Sequence, residues 1–430
     1  MAKTITRYFP QEEYDQRREN VRRLMGKRGL DAIIVSSPEN IYYLTGLDHM
    51  GYFACQLLVV PLEGTPMLVT RAMERATVRD LVPDVLHFGY QDSDDPREVP
   101  VARSERPGGN GSEIGVNPVA MSYGIPSREQ SSGQPYQSAA ARETCHALNE
   151  AGLSTAAIGI ERNSSFLPFG VAEAVVEGMP QVRWRDASGL VDDCRIVQSP
   201  RELECTREAA RLSDSMMLAA QAAADEGVPT KEVIGVIYDV MFRRGGTYPG
   251  FVPLVRSTGT LTHEHGTWQD TQLSRGDILF LEMSGCVRRY HAPMGRLVFI
   301  GEKPSGSQRI HEVCRNAQEK AAGAIGPGVR AGDVYRLWQE VLDAAGLAEY
   351  RRHHCGYSVG IGFPPSWSGS GVPVGLRANS DMELREGMVF HLMSWLLRTG
   401  QGDSFLSDTA VVTGDGCEIL TSVGRDITVR

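Results

Sequence analysis

Six of the side chains able to move protons or grip charge in one 34-residue stretch, 263–296, stand out: His263, His265, Glu282, Arg289, His291 and Arg296. Imidazoles titrate near neutrality, a carboxylate can take a proton or hold a cation, and a guanidinium can grip a carboxylate through two parallel hydrogen bonds. That mixture suits acid–base chemistry on a small charged molecule. The apolar runs Asp277–Met283 and Gly295–Ile300 read as two β-strands joined by a Gly-Cys-Val-Arg-Arg turn region. A carboxylate carried into a sheet, as Glu282 would be, belongs either to a satisfied polar network or to a reaction site.

The elements that must position these groups follow from periodicity. Residues 10–29 are charged and amphipathic with a glycine stop, a helix pattern, and the strand Asp31–Val35 follows. A short helix runs to Gly46, and the strands Gln56–Pro61 and Thr65–Thr70 read as a hairpin. Strand–helix alternation continues to about Val191. Residues 91–137, rich in Gly, Ser, Pro and Asp, read as a long excursion within this α/β unit. Ser199-Pro200-Arg201-Glu202 carries the residue types of a capping box with proline in the first turn, so a new unit opens there with a helix to about Glu226. Thr230–Arg243 reads as a helix capped by Thr230, and Ser307–Ile325 and Ala331–Ala345 as two more. Helix pairs thus alternate with strand pairs twice over. The expected domains are 1–195, α/β, and 196–430, α+β.

Length and composition set outer limits. At 430 residues two domains are expected, and 41% hydrophobic with 23% charged residues describes a globular protein. The net charge of −9 leaves no dominant basic patch for nucleic acid. The apolar runs are strand-sized and the N-terminus lacks a signal-peptide core, so no membrane partner and a cytoplasmic location are expected. Eight cysteines are scattered singly without C-x-x-C, which suggests reduced thiols. Cys286 and Cys355 flank the suspected site.

Several segments resemble the creatinase / methionine aminopeptidase / prolidase superfamily, which has the pita-bread fold. Within it they are most similar to the ectoine hydrolase-like, metal-independent members. The segments are Pro38-Glu39-Asn40 with Tyr43-Leu44-Thr45-Gly46, His265–Trp268, RRYHAPMGR at 288–296, CGYSVGIGFPPSW at 355–367, LREGMVFH at 384–391 and TGDGCEIL at 413–420. They cover both halves of the chain. The resemblance implies an α/β creatinase-like N-terminal domain followed by a pita-bread catalytic domain, and a homodimer.

Most superfamily members hold two metal ions with two Asp, one His and two Glu. In register, those positions fall here on Glu282, Pro293, Tyr357, Met393 and Ser407. Proline and a thioether cannot act as hard-metal oxygen ligands, so no metal and no other cofactor is expected. Two departures bear on the substrate: ectoine-hydrolase-like chains usually carry acids where this one has Asp403-Ser404-Phe405-Leu406-Ser407, and Met393-Ser394-Trp395 lacks the proline that the likeness leads one to expect.

The resemblance further implies that the histidine twelve positions before the Gly-Asp opening the first strand shuttles the proton, and His265 stands twelve before Asp277. The expected activity is hydrolysis of a C–N bond in a small zwitterionic cyclic amidine, guanidino or amide compound. His265 would be base and later acid, and Glu282 would hold the cationic N–C–N edge. His263, two residues away and on the same face if the segment is extended, is the rival base. Further candidate substrate contacts are Tyr290, His291, Tyr357, His391 and, for a substrate carboxylate, Arg289 or Arg296. Trp268, Phe363, Trp367 and Trp395 could wall a small cation. The tract His49–Phe53, with Phe53 foremost, is expected to close the site from a second subunit. Other readings are a metal-dependent Xaa-Pro-type aminopeptidase, a lyase, and a non-enzymatic binding module on the same fold.

Overall fold

Ser199 and Glu202 form the reciprocal capping box that their spacing calls for: the Ser199 hydroxyl accepts from the Glu202 N–H and the Glu202 carboxylate from the Ser199 N–H. The computed structural model describes residues 7–91, 135–369 and 374–430. Most of the expected 91–137 excursion lies outside them. Its end, from Pro135, is helical. The chain divides into two compact units, Met1–Cys194 and Arg195–Arg430.

The first unit carries strands β1 (Ala32–Val35), β2 (Leu57–Pro61), β3 (Met67–Arg71), β4 (Leu86–Tyr90), β5 (Ala157–Ile160) and β6 (Arg183–Asp186) in one mixed sheet ordered β4-β3-β2-β1-β5-β6. Its helices are α1 (Gln11–Lys27), α2 (Pro38–Thr45), α3 (Arg75–Leu81), α4 (Pro135–Glu150) and α5 (Phe169–Gly178), with α6 (Asp192–Arg195) at the unit's end. Gly46 closes α2 in the left-handed conformation, where a residue with a Cβ would be strained.

In the second unit, α7 (Pro200–Ala223) and α8 (Thr230–Arg243) precede β7 (Leu254–Arg256), β8 (Ile278–Val287) and β9 (Tyr290–Phe299). Then come α9 (Ser307–Ala324), α10 (Ala331–Ala344), β10 (Gly356–Ser358), β11 (Val389–Leu396), β12 (Ser404–Thr413), β13 (Gly416–Ile419) and β14 (Thr428–Val429). Thr230 does not cap α8: Pro229 holds that position, and the Thr230 hydroxyl lies against the Gln269 and Thr271 carbonyl oxygens.

The sheet order is β10-β11-β12-β9-β8-β7, with β13 on β12 and β14 on β9. Strands β8 and β9 form a continuous hairpin longer than the apolar runs suggest. Its two-residue loop is Arg288-Arg289, both at positive φ (52° and 68°). Two left-handed residues match the strand twist in such a turn, and no glycine marks it in the sequence.

One face of this sheet is covered by helices. Leu281, Met283, Met294 and Val298 pack with residues of α7 and α8, and Phe390, Leu392 and Ala410 with residues of α9 and α10. Strand alternation sends the intervening side chains to the opposite, inner face.

Candidate active site

Residues directly opposite in paired strands share a face, so the register builds the inner face row by row. One row runs Leu254, Glu282, Gly295, Ser407, Met393 across β7, β8, β9, β12 and β11. The next holds Ser284 paired with Pro293, and Thr409, His391 and Tyr357 on β12, β11 and β10. On the other side lies an aromatic row with Phe280, Phe405 and Trp395. Two apolar clusters flank the polar rows, one around Phe280 and Phe405, the other around Val389, Val411 and Trp367. A carboxylate, an imidazole, a phenol and a hydroxyl therefore sit in low-dielectric surroundings.

That setting decides their ionisation. Burial pushes the Glu282 carboxyl up to about 7, offset in part by the Arg256 and Arg352 guanidiniums. Burial also holds His391 down to about 3, so the imidazole is neutral. Its Nδ1 lies 3.0 Å from the Tyr357 hydroxyl and 3.8 Å from Glu282 Oε1, and its Nε2 lies 2.8 Å from Ser407 Oγ. The Trp367 indole N–H donates to the same Tyr357 oxygen at 2.9 Å. An indole can only donate, so the Tyr357 proton is free to point at His391 Nδ1, which leaves the His391 proton on Nε2 facing Ser407. Burial and the Glu282 carboxylate raise the Tyr357 phenol far above its ordinary value, so Tyr357 acts as a neutral donor.

The five positions aligned with metal ligands do converge here, but the residues do not fit a dication. Glu282 is the one carboxylate among them, Pro293 offers no side-chain donor, and Met393 offers only a thioether. Among the described residues, no group of three or more His, Cys, Asp or Glu is arranged to hold a metal ion.

The other expected site residues are placed as follows. His265 is exposed on the loop after β7, its ring 5.7 Å from Phe251, which in turn lies 5.2 Å from Trp367. It thus stands at the solvent side of the cluster, two rings removed from His391. His263 does not share an extended segment with it: the Gly266 N–H donates to the His263 carbonyl in a turn. His291 is fully buried, with Nε2 accepting from the Gly250 N–H at 2.8 Å and Nδ1 against the Gly360 carbonyl, and burial lowers it to about 3. Both of its nitrogens are used in holding backbone.

The Tyr290 hydroxyl donates to Glu202 at 2.6 Å and so ties the hairpin to the capping box. Arg296 is not brought to the inner face. Its neighbour Gly295 pairs with Glu282, so Arg296 points to the helix-covered side, where it ion-pairs with Asp408 at 2.9 Å and donates to the Ser407 and Val423 carbonyls. Arg289, at 0% exposure, lies between the Tyr248 and Phe363 rings and donates to the Tyr248 carbonyl. Arg296 thus does not reach Glu282's face, whereas Arg289 meets the inward-facing Cys286 Sγ at 3.4 Å, at the turn end of the hairpin, and Phe363 is spent on Arg289. Trp268 packs edge-on against Tyr238 of α8 and donates to the Pro253 carbonyl. Phe53, in the first unit, is 76% exposed. Cys286 and Cys355 are buried, and burial drives the Cys355 thiol up, away from a nucleophilic thiolate.

The sequence reading missed Arg256. It opposes Phe280, is 3% exposed, and carries its guanidinium carbon over that ring, 3.8 Å from the centroid. Nothing in the run FVPLVRS marks it, since a strand of three residues gives too short a pattern to assign a face. Arg352, beside Trp395 at 4.3 Å and ion-paired with Glu264, was missed likewise.

A curled antiparallel sheet backed by helix pairs, with an inner-face carboxylate and imidazole, is the pita-bread catalytic domain. The chain belongs to the creatinase/prolidase superfamily: residues 17–197 match the creatinase/prolidase N-terminal domain and 204–414 the metallopeptidase family M24. It is 27% identical over 431 residues to ectoine hydrolase of Halomonas elongata, covering 98% of each chain. It is 23% identical over 403 residues to a Xaa-Pro dipeptidase of Pyrococcus horikoshii, covering 94% of this chain and 96% of that one. Its fold matches the prolidase of Thermococcus sibiricus with a TM-score of 0.77 at 17% identity, covering 97% of this chain and 99% of that one. Among the described residues, no helix is long and apolar enough to cross a membrane.

Proposed function

We propose that this M24-family hydrolase cleaves a C–N bond in a small zwitterionic cyclic amidine or a related guanidino or amide compound, without a metal ion. The observation that carries the proposal is Glu282: a lone buried carboxylate, held near neutrality by its surroundings, facing a neutral His391 where the metal-binding pattern is broken by Pro293 and Met393. The full-length similarity to an ectoine hydrolase supports the substrate class. A peptidase reading would need the carboxylates that Pro293 and Met393 replace.

A bound amidinium beside Glu282 lowers the carboxyl's pKa and keeps it ionised. A water placed between Glu282 and the N–C–N carbon gives up a proton to the carboxylate as its oxygen bonds to that carbon. The proton then passes to the leaving nitrogen as the C–N bond breaks, and the product is the ring-opened amide. Tyr357, held by the Trp367 N–H, turns its single O–H proton from His391 Nδ1 to the reacting centre when substrate binds. His265, for which the family resemblance implies the base and later acid, stands exposed at the solvent side, so here it carries protons between the cluster and bulk water. The same proposal includes a homodimer in which the second copy's His49–Phe53 tract closes the site.

The test is turnover of ectoine, hydroxyectoine, creatine and small N-acyl amino acids by purified protein, with ¹⁸O-water as the tracer. The proposal expects one labelled oxygen in the ring-opened product. An unsaturated product without label would indicate a lyase, and no turnover of any of these compounds would remove the reading.

A further inference from the structure

We infer that Arg256 is the receptor for a substrate carboxylate, so that the site is built for a compact zwitterion with its two charges set apart along β7 and β8. The inference deepens the proposed function, on which its choice of cationic partner rests. The guanidinium itself is argued from geometry alone.

Arg256 is almost wholly buried, yet only one of its three nitrogens is used. Nη1 donates to the carbonyl oxygens of Leu261 and His263, at 3.2 and 3.1 Å. Nε and Nη2 are buried with no hydrogen-bond partner. These two nitrogens form one edge of the guanidinium plane, where two N–H bonds run parallel and match the two oxygens of a carboxylate. The plane is fixed on both counts that matter: it lies on the Phe280 ring at 3.8 Å with Trp395 5.4 Å away, and the two carbonyls lock its far corner. Rotamer freedom is therefore already spent before a ligand arrives.

A buried cation with an unpaired bidentate edge is costly unless something completes it. Burial depresses the Arg256 pKa, which the nearby Glu282 and Glu264 carboxylates only partly offset. Glu282 does not complete the edge, because Arg256 sits opposite Phe280, one inward-facing row beyond it. Consecutive inward-facing residues on a strand are roughly 7 Å apart. A cation on Glu282 and a carboxylate on Arg256 must then belong to one small molecule, with a few bonds between them. The aromatic row Phe280–Trp395–Phe405 would lie against the carbons joining them. Arg352 lies over Trp395 at 4.3 Å and pairs with Glu264 at 3.4 Å.

The experiment measures binding to wild-type protein, Arg256→Met and Arg256→Lys by calorimetry. Three probes are used: ectoine, its decarboxylated amidine 2-methyl-1,4,5,6-tetrahydropyrimidine, and L-pipecolate, a ring carboxylate without an amidine. The inference expects Arg256→Met to weaken every carboxylated probe that binds wild type by at least ~30-fold, while the decarboxylated amidine binds both alike. Arg256→Lys, which keeps charge but loses the paired edge, should recover only a small part. Pipecolate binding that depends on Arg256, with neither amidine bound, would support Arg256 and remove the amidine reading. Equal affinity of wild type and a folded Arg256→Lys for the carboxylated probes would overturn the inference, as would failure of both carboxylated probes to bind wild type. Circular dichroism on each variant separates loss of the edge from loss of the fold.

Discussion

His391 Nδ1 stands 3.8 Å from Glu282 Oε1, and the two are neutralised in opposite senses by the same burial: the carboxyl is raised to about 7 and the imidazole lowered to about 3. Near neutrality the pair is thus an imidazole beside a carboxyl on the point of ionising. Replacing Glu282 with Gln keeps the shape and removes the proton acceptor. We expect kcat to fall by ~10²–10⁴-fold, with binding of a neutral analogue unchanged. For the wild type, kcat/KM should rise with pH through about 7 as Glu282 ionises. A pH profile flat across that range would remove Glu282 as the base.

The same carboxyl affects stability, with a definite sign. Its folded pKa is raised above the ordinary 4.5, so the folded state holds the proton more tightly than the unfolded state. Stability is therefore lost as pH rises from the unfolded value to about 7, by an upper figure of roughly 3 kcal/mol. Glu282→Gln should gain in melting temperature relative to wild type at pH 8 and lose that gain at pH 4. His291 and His391 act oppositely: both are buried neutral at about 3, so unfolding takes up protons below the ordinary 6.5 and stability falls as pH drops. Equilibrium denaturation from pH 4 to 8 checks both slopes.

Gly295 is the glycine of the Glu282 row, and a Cβ there would lie 2.7 Å from Phe405 Cζ and 2.8 Å from Ser407 Oγ. Gly295→Ala should cost about 1–3 kcal/mol by overpacking and should displace Ser407 from His391. A denaturation midpoint equal to wild type would show that the inner face is looser than this packing.

Arg296 and Asp408 form a buried pair on the helix-covered face, which Arg425 and Thr421 complete. Asp408→Ala should cost about 3–5 kcal/mol in stability, with KM unchanged per folded molecule at low temperature. A selective rise in KM would place Arg296 at the substrate after all.

Much of the scaffold was legible because local chemistry and final structure agree. The capping box at Ser199 and Glu202, and α8 to α10 within a residue of their expected bounds, follow from spacing alone. Of the candidate site residues, Glu282, Tyr357 and His391 are brought together by the sheet, whereas Arg296 is turned to the other face. Which way Arg296 points depends on the β8–β9 register, set by two left-handed arginines in a turn without glycine or asparagine. Without that register, a one-residue shift exchanges the faces of the whole strand. The carboxylate role proposed above for Arg256 has no counterpart in the sequence pattern, because its neighbours become visible only once β7 is paired with β8.

His265 and Phe53 occupy exposed positions, so their proposed roles lie in exchange with solvent and in closure by a second subunit. His265→Ala should lower kcat by ~10-fold or more while leaving the dissociation constant near wild type. Equal losses in both would mark a binding contact. Phe53→Ala should raise KM with kcat nearly unchanged.

The central claim is hydrolysis by the Glu282–His391 cluster without a metal ion, and metal-resolved turnover tests it most directly. The protein would be dialysed against a strong chelator, its metal content measured by mass spectrometry, and ectoine turnover followed before and after addition of manganese, zinc or cobalt. The account predicts undiminished turnover at well below one metal per chain, no gain on addition, and loss in Glu282→Gln. Turnover that disappears with the metal and returns in proportion to a bound dication would contradict it.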